Sequence, residues 1–256
     1  MREFFLVANL ALALALLGGM IALQAYGRRL ALRVDPASDS RDARAAQGAV
    51  FGLLGLLLAF TFSGALQRFD ERRHLIVEEA NDIGTAWYRI DLLPGPRQAE
   101  MRGLFRQYMD TRIQTYLNVT DEAATSASLA KGEQLQRQIW TVAVAGADEG
   151  GKVATYTVLL PALNEMFDIT TTRTAVTQMH PPAVVYGMIL VLAAVGSVFS
   201  GYALGGQERS WVHRLAFPLA TAVALFVIID MEFPRMGLIR VDSMDYLMND
   251  LRKMMG

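Results

Sequence analysis

Residues 48–67, GAVFGLLGLLLAFTFSGALQ, run without a break into residues 68–90, RFDERRHLIVEEANDIGTAWYRI, and neither stretch holds a proline or a turn signal. The first stretch is uncharged and lies between Arg44 and Arg68. At about 1.5 Å of rise per residue it is long enough to cross a hydrocarbon core of roughly 30 Å. In the second, Leu66, Phe69, Ile76, Ala80, Ile83, Trp87 and Ile90 recur at three- and four-residue steps interrupted only by Arg73, while Arg68, Arg72, Glu78, Glu79 and Asp82 fall elsewhere. That spacing is a heptad-like seam. It predicts one helix that leaves the bilayer and continues into water until Pro94, Gly95 and Pro96 stop it.

Working outward, 53% hydrophobic residues gathered in long uncharged blocks place the chain among integral membrane proteins. Residues 4–27, 48–67 and 182–206 form three blocks, and residues 215–229 form a shorter fourth. The first is read as a retained helix, because its apolar core exceeds a signal peptide's and Arg28 and Arg29 follow at once. The absence of cysteine removes disulfides, thiolate metal sites and cysteine nucleophiles. A formal net charge of -1 gives no argument for nucleic acid. Basic side chains are nearly all arginine, with lysine only at Lys131, Lys152 and Lys253, as a GC-rich bacterial genome tends to produce.

The expected organisation is all-α: membrane helices over residues 1–67 and 182–231, a water-exposed helical region over 68–181, and a C-terminal segment over 232–256. Residues 28–47 form a polar hairpin with Pro36 as breaker. More than a hundred residues between the second and third spans must fold in their own right. There, Met101, Phe105, Tyr108, Arg112 and Tyr116 keep helical spacing, and a second helix is expected over 121–145 with Asp121 as N-cap. A third begins near Lys152, carries Tyr156, Leu159, Leu163, Met166, Phe167 and Thr170 on one side, and is open to a kink at Pro161. Four spans put both termini and the long helical region on one side. Arginines are balanced across the membrane, although Arg28, Arg29 and Arg33 favour a cytoplasmic first hairpin.

Catalytic signals are weak, so the chain is read as a non-enzyme without cofactor or metal. His74, His180 and His213 lie in separate segments with no partner at ligand spacing. Gly48, Gly52, Gly55 and Gly64 lie inside an apolar span with no following Lys-Ser or Lys-Thr, which argues for close helix packing rather than a phosphate loop. Asn118-Val119-Thr120 matches a glycosylation sequon, taken as coincidence in a bacterial chain.

Where the second span ends, Phe60, Thr61, Phe62 and Ser63 give way to Arg68, Asp70, Glu71, Arg72 and Arg73. One reading is an aromatic belt with snorkelling arginines. The other needs an oligomer, in which copies around an axis turn the apolar face into a constriction and the collar into charged rings. At the end of the fourth span, only fifteen uncharged residues separate Arg214 from Asp230. Asp230 and Glu232 are therefore either a buried paired or capping site, with Arg68 or Arg72 as partner, or a helix end in interfacial water.

Residues 60–73, FTFSGALQRFDERR, with 77–93, VEEANDIGTAWYRIDLL, and the later Asp230, Glu232, Pro234, Gly237, Ile239 and Val241, resemble the bacterial bestrophin-like membrane proteins over most of the chain. More distantly, Phe60 and the Arg68-Phe69-x-Glu71-x-Arg73 cluster resemble a segment of the bestrophin channels, with Phe69-Asp70 in place of two tryptophans. The resemblance implies a pentameric ion channel of the bacterial cytoplasmic membrane whose second helix lines an apolar neck above a cytosolic helical vestibule. That places the long helical region in the cytosol, against the vote of the first-span arginines. It implies a gate at Leu56 and Phe60, polar lining at Thr61 and Ser63, mouth charges at Arg68, Asp70, Glu71, Arg72 and Arg73, and vestibule or assembly roles for Glu78, Glu79 and Asn81. Membrane lipid, small inorganic ions and further copies of the chain are the expected partners. The competing expectation is a non-conducting scaffold or sensor whose helical region binds a partner, with the seam serving assembly alone. An intramembrane enzyme built on Asp230 and Glu232 lacks a nucleophile or metal set.

Overall fold

The computed structural model describes residues 2–33, 41–204 and 211–256, apart from the side chains of 41–44 and 213. Of the hairpin expected over residues 28–47, residues 28–31 instead end α1 and 41–47 begin α2, while 34–40 with Pro36, the side chains of Arg41, Arg44 and His213, and Arg209 lie outside the described residues. Among those described there is no strand, and helices joined by short turns make up the structure. The order is α1 (Arg2–Ala31), α2 (Arg41–Arg89), α3 (Gly95–Leu117), α4 (Glu122–Gly150), α5 (Leu160–Gln178), α6 (Ala183–Leu204), α7 (Trp211–Glu232) and α8 (Asp245–Met254). Four helices are long and apolar enough to cross a membrane, with their apolar stretches in α1, α2, α6 and α7. The chain divides into two units: Met1–Arg68 with His180–Ile239, and Phe69–Met179 with Arg240–Gly256. The C-terminal segment is thus split, its first residues belonging to the membrane unit and its last helix to the other.

In the membrane unit, α1 packs on α6 and α7. The approach of α1 to α6 is backbone to backbone: a Cβ on Gly27 would lie 2.1 Å from the Val198 carbonyl oxygen, and one on Gly201 would lie 2.0 Å from that of Gln24. Only glycine permits this, and small residues at such crossings are how helices gain contact where lipid offers no hydrophobic drive. Gly196 opens space for the Phe51 and Phe217 rings, whose centroids are 4.8 Å apart. Among the described residues, a Cβ at Gly48, Gly52 or Gly55, glycines expected to pack, would meet nothing within 4 Å, and one at Gly64 would meet only the Arg68 guanidinium of its own helix. Period alone marks a helix face as small; which face finds a neighbour depends on the other helices.

In the second unit, α2 ends through a single 3-10 turn, Ile90–Leu92, before Pro94. Met101, Phe105 and Tyr108 of α3 are fully buried beside Ile83, Ile90, Ile139, Leu159, Leu163 and Met166. Asp121 caps α4 by accepting from the Ala124 N–H at 3.0 Å, and the helix runs through Gly146 to end at Gly151, whose φ of 60° is left-handed. Ahead of Pro161 the chain forms a π turn, Thr155–Leu159, instead of a kink within α5; proline then occupies the first turn, where its missing N–H costs nothing.

Candidate pore helix and its charged anchors

With 49 residues, α2 spans on the order of 70 Å. Its buried positions are Leu54, Thr61, Ala65, Phe69, Arg72, Leu75, Ile76, Glu79, Ile83, Ala86 and Trp87, mostly on one side, and Ile90 continues the line just past its end. The expected seam is buried at Phe69, Ile76, Ile83, Trp87 and Ile90 and part-buried at Ala80, and it is out of phase at Leu66 and Arg73. Leu66 is exposed, Arg73 is half-exposed, and Arg72 and Glu79, read as lying off the seam, sit within it. A charge was assumed to avoid a packed face, but burial costs little once partners satisfy it.

Opposite this covered side, α2 has a bare one. In the membrane unit, Gly52, Leu56, Phe60, Ser63 and Gln67 are exposed, Leu56 at 52% and Phe60 at 67%. In the second unit, Asp70, His74, Glu78 and Asn81 are exposed as well. At 100° per residue these positions fall within a stripe about 80° wide, centred opposite the buried one. Thr61 does not share it. It is 7% exposed, and its hydroxyl donates to the Leu57 carbonyl at 2.7 Å, which removes it from the lining expected with Ser63. A helical Thr or Ser that bonds its own preceding turn presents no free hydroxyl, and spacing cannot foretell that choice.

The charged collar is sorted by this geometry. Arg68 grips Glu232 through two nitrogens, with Nε 3.0 Å from Oε1, and Glu232 is fully buried. His180 Nδ1 lies 3.3 Å from the other oxygen of Glu232, its ring stacked on Phe233 at 4.8 Å. Asp230, also fully buried, accepts from the Leu238 N–H at 2.8 Å and the Ile239 N–H at 2.7 Å, so it caps the turn that follows α7. A Cβ on Gly237 would fall 2.4 Å from that carboxylate. The two acids therefore do different work: Glu232 ties α7 to α2, and Asp230 holds the loop. Neither ends in interfacial water, and of the two arginines considered as partners Arg68 is the one used. The part taken by His180 was not anticipated, since a lone histidine before two prolines carries no spacing signal. In the second unit, Arg72 turns inward and donates to the Met179 carbonyl at 3.0 Å. Arg73 stays near Asp70 at 3.5 Å and over the Phe69 ring.

Glu79 is enclosed at 0% exposure, so it faces neither a vestibule nor a second copy, in contrast to exposed Glu78 and Asn81. The Arg112 Nε donates to its Oε1 at 2.6 Å, Arg173 donates to its Oε2, and the Tyr116 hydroxyl donates to Oε2 at 2.9 Å. The Arg173 guanidinium also lies 3.5 Å over the Tyr116 ring. Burial alone would raise the Glu79 carboxyl, but the Arg112 and Arg173 charges outweigh it and hold it at about 2. The same burial and the adjacent carboxylate push the Tyr116 hydroxyl up. Arg112 was visible in the sequence as a basic residue in an apolar stripe, a sign that a buried acid must meet it. Arg173 gave no such sign. Nearby, burial and the charges of Glu78, Glu165 and Glu79 raise Asp82 to about 6.

Four membrane-length helices, one of them running on into a separate helical unit, define a multi-pass helical membrane protein. A family model described as a bestrophin-like domain matches residues 18–245, and the chain belongs to that family. No curated protein matches it. A crystal structure described as that of a membrane protein covers 93% of this chain and 98% of its own length, with 14% identity and a TM-score of 0.61. That likeness is one of fold.

Proposed function

We propose that this protein is a homo-oligomeric ion channel of the bacterial cytoplasmic membrane, pentameric as its resemblance to the bestrophin channels implies. In this reading copies of α2 turn their bare side to a shared axis. The conduit needs neither cofactor nor catalysis, and its helical region beyond the second span lies in the cytosol. One observation carries the reading: α2 is packed along one side and uncovered along the other, with Leu56 and Phe60 exposed one turn apart. Toward the end of the span the uncovered side turns polar at Ser63 and Gln67, a change that a surface serving lipid alone does not call for.

Leu56 and Phe60 then form an apolar neck that opens by widening or wetting, and Ser63 supplies polar lining below it. Gly52, one turn above Leu56, is too small to constrict. Replacing Phe60 with alanine removes the largest side chain on that side and is expected to raise ion leak severalfold from vesicles holding the purified protein. Unchanged flux with the oligomer intact takes Phe60 out of the gate. An oligomer that passes no ions in either form favours the scaffold.

A further inference from the structure

We propose that the pore passes cations, because the folding of the subunit turns Arg68 and Arg72 away from the side that would face the axis and leaves Asp70 and Glu78 on it. This rests on the pore assignment above and settles a sign that composition leaves open, since Arg68, Arg72 and Arg73 are offset in the sequence by Asp70, Glu71, Glu78 and Glu79.

The sorting is geometric. The stripe through Leu56, Phe60, Ser63, Gln67, Asp70, His74, Glu78 and Asn81 is about 80° wide and holds two carboxylates and no arginine. Asp70 and Glu78 are exposed and stand about two turns apart along α2. Glu71 is exposed just beyond one edge of the stripe. In the membrane unit, Arg68 lies toward the opposite side, its charge balanced by Glu232. In the second unit, Arg72 points away from the stripe and is 5% exposed, donating to Met179. Arg73 lies on the flank, roughly 100° from the stripe's centre, where its Nη1 stands 3.5 Å from Asp70 in an exposed and therefore weak pair. The fourth acid, Glu79, is withdrawn together with two arginines, Arg112 and Arg173.

Repeated around an axis, Asp70 and Glu78 become two stacked acidic rings. Rings of Asp and Glu are how cation channels draw one sign of ion, and low-dielectric walls focus their field along the path. The preferred ion is a small, hydrated inorganic cation, since carboxylate rings attract by charge without demanding a fixed coordination.

The test is the reversal potential of the purified full chain in planar bilayers under a KCl gradient. Wild type is expected to reverse toward the potassium equilibrium potential. The double variant Asp70→Asn, Glu78→Gln is expected to lower the cation-to-anion permeability ratio severalfold. Glu133→Gln, on the exposed side of α4, is expected to leave it unchanged. Reversal toward chloride in wild type overturns the inference while leaving the channel standing, and so does an unaltered ratio in the double variant with assembly intact. An assembled protein that carries no current removes the channel reading itself, and the choice of ion with it.

Discussion

The membrane unit and the helical unit beyond it solve the same problem, holding helices together, by opposite means. In the membrane unit the decisive contacts are backbone against backbone at Gly27 and Gly201, and its two buried carboxylates lie at the end of α7. The other unit fills its interior with large side chains, among them Phe105, Tyr108, Met101 and Ile139, and encloses a carboxylate with two guanidiniums. Solvent accounts for the difference. Water drives apolar area inward whatever its shape, so bulk suffices and leftover burial can be spent on an ion cluster. Lipid offers no such drive, and helices must touch closely to gain anything by pairing.

The contrast breaks first at Glu79. Its replacement by alanine leaves Arg112 and Arg173 buried without a counter-charge, which is expected to cost about 3–5 kcal/mol, read as a lower thermal midpoint in detergent. A Glu79→Ala protein as stable as wild type would mean that side-chain bulk alone holds that unit. Next comes Gly201→Ala, which forces a methyl group onto the Gln24 carbonyl and is expected to cost about 1–3 kcal/mol through separation of α1 from α6. Placing the same alanine at Gly52, where nothing lies within 4 Å, is the matched control and should leave the isolated subunit's stability unchanged.

The smallest effect sharpens the comparison through pH. Glu79 is depressed to about 2 from an ordinary 4.5, so the stability it contributes is complete above about 4.5 and is lost as pH falls toward 2. Asp82 has the opposite sign: raised to about 6 from 3.8, its ionisation weakens the fold as pH rises through that interval. Because Asp82 is only part-buried, solvent screens the effect and the step is shallow. Asp82→Asn is expected to flatten the stability profile between pH 4 and 6 while leaving the acid limb below 4.5 in place. A profile in which the variant still loses stability over pH 4–6 assigns that titration to another group.

Reading residues 48–90 as one helix needed no partner, because an apolar run, an unbroken period and a proline stop are all local. The same holds for the Asp121 cap and for the buried line from Met101 to Tyr116, each a matter of neighbours three or four residues away. Even the acids at the end of α7 were legible, since fifteen uncharged residues are too few to leave Asp230 comfortably outside the core. What failed was phase. The choice between Leu66 and Ala65, or between Arg73 and Arg72, turns on a rotation of about 100°, and local period cannot set it when both neighbours are plausible.

The chain's own pattern thus determined an all-helical membrane protein, the central stretch of its long second helix and the residue types collected at the span's mouth, for these follow from hydrophobicity and backbone chemistry alone. Tertiary structure decided which glycines touch, that Glu79 is sealed against Arg112 and Arg173, and that Arg68 and Arg72 turn away from the bare side of α2. The physical reason is that a charge or a small residue has no fixed role in isolation. Its energy depends on what another helix, distant in sequence, brings within a few ångströms.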